Sequence, residues 1–128
     1  MTAKIRKFLQ GRQPETPCLV VDLDVVSDRY AELSRALPGA EIFYAMKANP
    51  AREILSLLHS LGSQFDTASI HEIEACLDLG IGPDHIAFGN TVKKSCDIAR
   101  AHEYGIRLFA FDSRAEMAKL ATAAPGAY

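Results

Sequence analysis

The sequence has little of several features that mark particular classes of protein. No apolar run approaches the roughly 20 residues that cross a bilayer, and no G-x-G-x-x-G phosphate signature occurs. The net charge is −2, with charges of both signs interspersed, which disfavours nucleic acid or an anionic membrane as partner. The three cysteines are widely spaced and form neither a disulfide nor a zinc pattern. We expect no metal, membrane or nucleic-acid partner, a small-molecule ligand and a cytoplasmic location.

The composition is that of a folded domain. Hydrophobic residues make up 48% of the 128 residues and charged residues 23%, as in ordinary globular proteins.

A repeat of 22 residues organises most of the chain. Each unit begins with a short, largely apolar segment and continues with helical spacing of apolar residues. The four segments are Ile42–Lys47, Gln64–Ser69, Ile86–Thr91 and Leu108–Ser113. Alternating strands and helices predict an α/β fold with a parallel sheet. An open doubly wound sheet and a (β/α)₈ barrel both fit; the short regular repeat favours the N-terminal half of a barrel.

The polar residues after these strands predict where helices begin. Ser69, Thr91 and Ser113 share one register and are N-capping residue types. Glu72 and Glu116 follow two of them at the third position, as in a capping box.

Lys47 stands in the same register but is a poor capping residue. The helix there is predicted to start later, with Asn49 as cap and Pro50 in the first turn. At the end of an apolar strand, desolvation would make the lysine amine neutral and nucleophilic. Lys47 and Asp66 both lie at C-terminal strand ends, where barrel enzymes place their active sites.

The segment before the repeat is predicted to hold one more strand and helix. Cys18–Val21 would form the strand, Ser27 could cap the helix, and Pro38 with Gly39 would end it. We expect residues 1–16 to form a flexible arm, and residues 17–128 to be the first part of a barrel, truncated before about the fifth strand.

Four motifs, in order, resemble a known family. They are YAMKAN (Tyr44–Asn49), FDTAS (Phe65–Ser69) followed by Glu72, IAFGNTVK (Ile86–Lys93) and LFAFDS (Leu108–Ser113). They resemble the ornithine and lysine decarboxylases, which are fold-type III enzymes related to diaminopimelate decarboxylase and alanine racemase.

The resemblance implies a pyridoxal-phosphate-binding (β/α)₈ barrel, a C-terminal β-sandwich domain absent from this chain, and a homodimer. It implies that Lys47 carries the cofactor as a Schiff base, and that Ala45, Asp66 and Glu72 line the cofactor site. It implies decarboxylation of ornithine or lysine to the diamine, a step of polyamine biosynthesis.

Three alternatives remain open from the sequence. The first is diaminopimelate or carboxynorspermidine decarboxylase, and the second is a non-catalytic regulatory relative. The third is an inactive fragment, because the family's phosphate-binding loop and pyridine-pairing acid do not occur in these residues. The 128-residue chain alone is therefore expected to be inactive.

Overall fold

A computed structural model describes all residues from 1 to 128, which form two compact units. The first comprises Met1–Pro38 and the second Gly39–Tyr128. No helix in either is long and apolar enough to cross a membrane.

The first unit contains two helices, α1 (Ala3–Arg12) and α2 (Leu23–Ala36). Thr2 caps α1, and its hydroxyl also donates to Asp22 at 2.6 Å. Asp22 caps α2 by accepting from the backbone N–H of Asp24.

Three expectations for this unit were wrong. Residues 1–16, expected to be an arm, include a capped helix. Residues 18–21 form no strand, because no neighbouring strand supplies ladder hydrogen bonds to them. Asp22, not Ser27, caps α2, since the helix begins a turn earlier than predicted.

The second unit alternates strands and helices, as predicted. Its elements in chain order are β1 (Phe43–Ala45), α3 (Arg52–Ser60), β2 (Gln64–Thr67), α4 (Ile70–Leu77), β3 (Ile86–Phe88), α5 (Ser95–Glu103), β4 (Leu108–Phe109) and α6 (Arg114–Ala123), with short 3₁₀ turns at Met46–Ala48 and Pro83–His85. The four strands form one parallel sheet in sequential order. The α/β fold class is therefore confirmed.

The strand ladder has a different period from the sequence repeat. Phe43 pairs with Gln64, Phe65 with Ile86, and Ala87 with Leu108, so partners lie 21 residues apart instead of 22. Because successive strand residues point to opposite faces, residues in one register of the repeat alternate between the two faces of the sheet.

One face of the sheet is buried except at Tyr44 in β1, which is half-buried. We call it the helix-covered face, and it carries Phe65, Thr67, Ile86, Phe88 and Phe109, each no more than 5% exposed. The apolar sides of α3, α4 and α5 are buried with it. Phe65, Phe88 and Phe109 are therefore packed within this chain, against its own helices.

The helix starts agree with the prediction at two junctions of four. Ser69 and Ser113 accept from the backbone N–H of Glu72 and Glu116. Thr91 caps nothing, because α5 begins later, after Lys94. At the first junction α3 begins at Arg52, while the Asn49 side chain accepts from the N–H of Ala51 in the preceding turn.

Candidate functional site

Lys47 lies in the 3₁₀ turn directly after β1, at the C-terminal end of the sheet. Met46 beside it is buried, whereas Lys47 is exposed. The desolvation predicted for the amine is therefore absent within these residues, since nothing in the chain covers the end of β1. An exposed amine there is free to react with a ligand carbonyl.

A row of residues on the other face of the sheet leads from Lys47 across the strands. We call it the cavity face. The ladder pairs Ala45 with Asp66, Asp66 with Ala87, and Ala87 with Leu108. Asp66 is the only charged residue in this row, and small side chains flank it on both sides. Ala45 and Asp66 are thus brought together as the sequence predicted.

An open cavity of about 310 Å³ lies on the cavity face. Its lining residues are Phe43, Asp66, Ala87, Gly89, Leu108, Phe109 and Ala110. The walls are apolar apart from the Asp66 carboxylate, which suits a flat ligand with one polar contact to a carboxyl group.

The surroundings of Asp66 favour its neutral form. Burial raises the pKa of this carboxyl, Coulombic attraction to Lys47 lowers it, and repulsion from Glu72 raises it again; the net shift is upward. Asp66 and Lys47 interact only through this attraction, and no direct ion pair joins them.

Glu72 has a structural contact as well as an electrostatic one. Its carboxylate accepts from the backbone N–H of Ala68 at 2.5 Å, at the start of α4. It also acts at a distance: burial raises the pKa of Asp66 and raises that of the Cys76 thiol to about 11, and the charge of Glu72 adds to both shifts. Glu72 therefore lies close enough to the cavity face to influence ionisation there.

Two further residues at this end of the sheet, both in the IAFGNTVK motif, were not predicted as site residues. Gly89 follows β3 and lines the cavity. Lys93 is buried: its ammonium donates to the carbonyls of Asn90 and Ala110 at 2.8 and 2.6 Å and lies 3.2 Å from Glu116. The sequence feature related to Lys93 was the capping box predicted at Ser113. The Glu116 side chain of that predicted box contacts Lys93 instead of the backbone N–H of Ser113.

The fold and this site are those of a cofactor-binding domain. Residues 23–128 match the family model described as pyridoxal-dependent decarboxylase, pyridoxal binding domain. The chain therefore belongs to the pyridoxal-dependent decarboxylase family, a family of lyases, and its cofactor is pyridoxal phosphate.

Individual relatives make the position within the family clearer. The chain is 46% identical over 127 residues to lysine/ornithine decarboxylase of Selenomonas ruminantium, covering 99% of this chain and 32% of the relative. It is 34% identical to antizyme inhibitor 2 of Xenopus laevis, covering 84% of this chain and 24% of the relative. The crystal structure of lysine decarboxylase from S. ruminantium matches with a TM-score of 0.87 and 45% identity, over 99% of this chain and 34% of that one. The chain thus spans about a third or less of these relatives.

Structural similarity of this degree confirms the barrel-type architecture expected for the second unit. The solved neighbours are decarboxylases, and this chain matches an N-terminal portion of their fold. A further similar structure is that of SrLDC in complex with PLP and cadaverine, with a TM-score of 0.88 and 45% identity, over 99% of this chain and 33% of that chain.

Proposed function

We propose that the full-length protein is a pyridoxal-phosphate-dependent decarboxylase that converts ornithine or lysine to the corresponding diamine, as a step of polyamine biosynthesis. We further propose that it acts in the cytoplasm as a homodimer, and that its substrate is a small-molecule amino acid. The observation that carries the proposal is the placement of Lys47 at the end of β1, within electrostatic reach of the Asp66 carboxyl group that lines a cavity.

The residues present fit the cofactor. Pyridoxal phosphate needs an accessible amine for its aldehyde carbon, and Lys47 is exposed at the cavity end of the sheet. The small Ala45 and Ala87 beside Asp66 leave the cavity face open to a flat ring. When bound, the cofactor supplies an electron sink for the electrons left on the substrate Cα as carbon dioxide departs.

Each site residue then has a distinct role in the proposal. Lys47 would hold the cofactor through its side-chain amine. Ala45 would line the ring, and Asp66, within electrostatic reach of Lys47, would hold or accept a proton. Burial raises the pKa of Asp66, and the charge of Glu72 adds to that rise; Glu72 also fixes the start of α4.

Reduction of the full-length protein with borohydride tests the attachment site. The reagent should fix the cofactor on the peptide containing Lys47. Replacing Lys47 by Ala should abolish that label and lower decarboxylation by more than about 10²-fold. Lys94→Ala, which removes an exposed lysine at the start of α5, is the matched control and should keep both label and activity. Label on another lysine would exclude Lys47 as the attachment site.

The substrate is tested by incubating the same protein with ornithine, lysine, arginine and diaminopimelate and measuring carbon dioxide release. We expect turnover of ornithine or lysine above the other two. Preferred turnover of diaminopimelate would replace this proposal by the first alternative.

Binding without catalysis is the second candidate function, supported by the similarity to antizyme inhibitor 2. It predicts a folded full-length protein that forms no Lys47 label and releases no carbon dioxide from any of the four amino acids. Retention of an accessible Lys47 favours catalysis over this candidate.

A further inference from the structure

Gly89 is a glycine for reasons of space and not of backbone conformation. Its φ is outside the left-handed region, unlike that of five other glycines in the chain. Its backbone is fixed by a hydrogen bond from its N–H to the carbonyl of Thr67 at 2.8 Å, which continues the ladder between β2 and β3. A backbone held in this way cannot move aside for a larger residue without losing that bond.

The space at Gly89 is filled by the Asp66 carboxyl group. A Cβ at position 89 would lie 1.7 Å from Asp66 Oδ1, 2.7 Å from Cγ and 3.1 Å from Oδ2. Real Cβ atoms essentially never approach within 3.0 Å of another heavy atom. Asp66 therefore leans toward the C-terminal end of β3, and any Cβ at position 89 would require its carboxyl group to turn away from this orientation.

Nothing else holds the Asp66 side chain in this orientation. Its carboxyl group makes no hydrogen bond within the chain, and its only attractive charge partner is Lys47 at a distance. Since Asp66 lies between small residues in its row, the shape of the cavity decides its rotamer. The vacancy at Gly89 is the part of that shape nearest the carboxyl group.

We propose that Gly89 is a positioning residue for the reaction, because its missing side chain lets the Asp66 carboxyl group lie in the cavity at the end of β3. This inference rests on the proposed function and adds a residue that determines the geometry of the proposed site. A methyl group at position 89 displaces Asp66 from the cavity end of β3, so the variant behaves as though Asp66 were misplaced, although Asp66 itself is unchanged.

The test is a double-mutant cycle in the full-length holoenzyme with Gly89→Ala, Asp66→Ala and the two together. Gly89→Ala should lower kcat by on the order of 10²-fold, as expected for a misplaced group at a reacting centre, and should change the pH dependence of kcat. In the Asp66→Ala background the same substitution should cost less than about threefold, because the colliding carboxyl group is gone. Gly89→Ala that keeps normal activity, or that costs as much without Asp66 as with it, overturns the proposal.

A second measurement does not depend on activity. In the apo protein, Gly89→Ala should lower the melting temperature, and adding Asp66→Ala should restore it. If Gly89→Ala fails to fold, recovery of folding in the double variant supports the steric relation, and failure of both variants overturns it. Gly82→Ala is the matched control, since Gly82 also lacks a positive φ and its Cβ would meet the exposed Asp84 side chain and, at an ordinary contact distance, His85.

The proposed function fails in a different way. Absence of decarboxylation and of Lys47 labelling in the wild-type protein would refute the proposed function. The melting temperatures of the three apo variants would still show whether Gly89 makes room for Asp66.

Discussion

The ionisation of Asp66 is set by its burial and by two charged neighbours, Lys47 and Glu72. Its pKa in the folded protein lies above the ordinary value of 3.8, so the folded state binds the proton more tightly than the unfolded state. Stability is therefore lost as the pH rises from below 3.8 through the folded-state pKa. Above that range Asp66 is a carboxylate that the fold disfavours.

Asp66→Asn should accordingly raise the melting temperature of the full-length apo protein at pH 7. The gain should shrink as the pH is lowered and vanish below about 3.8, where Asp66 is neutral in both states. Thermal unfolding of wild type and variant between pH 3 and pH 7 measures this difference. Asp28→Asn, at an exposed position inside α2, is the control; a gain at pH 3 equal to that at pH 7 would contradict the sign of the shift.

At the residue scale, the sequence predicted that Lys47, Ala45 and Asp66 lie at strand ends. It did not predict which residues surround them. The residue types and their place at strand ends are visible in the chain order. The exposure of Lys47 and the fit of Asp66 into the vacancy at Gly89 depend on which neighbours cover each side chain, and this is decided by packing between strands. The sequence signal for this fit was Gly89 itself. It is a glycine at the end of a strand, and no turn with a positive φ explains its presence there.

At the scale of elements, a buried charged group joins the loop after β3 to helix α6. The ammonium of Lys93 and the carboxylate of Glu116 are 0% and 3% exposed in their side chains. Lys119 binds the second Glu116 oxygen at 2.5 Å. Burial raises the pKa of Glu116, but hydrogen bonds from Lys119 and Lys93 outweigh it and the pKa is lowered. Because Lys93 also binds the Ala110 carbonyl, the pair fixes a wall of the cavity.

Lys93→Met should destabilise the protein by about 3 kcal/mol, at the low end for breaking a buried ion pair because Lys119 still offsets the Glu116 charge. The double variant with Glu116→Leu should recover part of this loss, since no buried carboxylate is left with a missing partner. Urea unfolding of the apo protein measures both effects. Lys94→Met, at the exposed neighbouring position, should change stability by less than about 0.5 kcal/mol; an equal loss there would show that the buried pair is not the cause.

The order of strands and helices was predictable from the repeat, and the ladder was not. The repeat counts chain residues per unit, whereas the offset between Phe43 and Gln64 or between Phe65 and Ile86 also includes the stagger between neighbouring strands. Thr91 failed as a cap because Lys93 ties the loop after β3 to Ala110, and α5 begins only after that contact.

At the scale of the whole molecule, the second unit has a core of its own but keeps one incomplete face. Its helix-covered face is buried, whereas on the cavity face Phe43 and Leu108 remain half-exposed. Tyr128 pairs with β4 through backbone hydrogen bonds to Arg107 and Phe109, as a residue of an adjacent parallel strand would. A single residue covers little of that edge, and sheet edges pair readily with other chains.

The 128-residue chain expressed alone should therefore self-associate, and it should bind pyridoxal phosphate weakly, since these residues supply no phosphate-binding loop. Leu108→Lys, which puts a charge on the cavity face, should shift the chain toward monomer, because an inward-facing charge blocks pairing of sheets. Leu61→Lys, which puts the same charge at the partly exposed end of α3, is the control and should not. Sedimentation velocity measures association, and absorbance of the imine band measures bound cofactor. A monodisperse wild-type monomer that melts cooperatively with stoichiometric cofactor would show that the cavity face needs no further cover, and that residues 1–128 already hold a complete cofactor site.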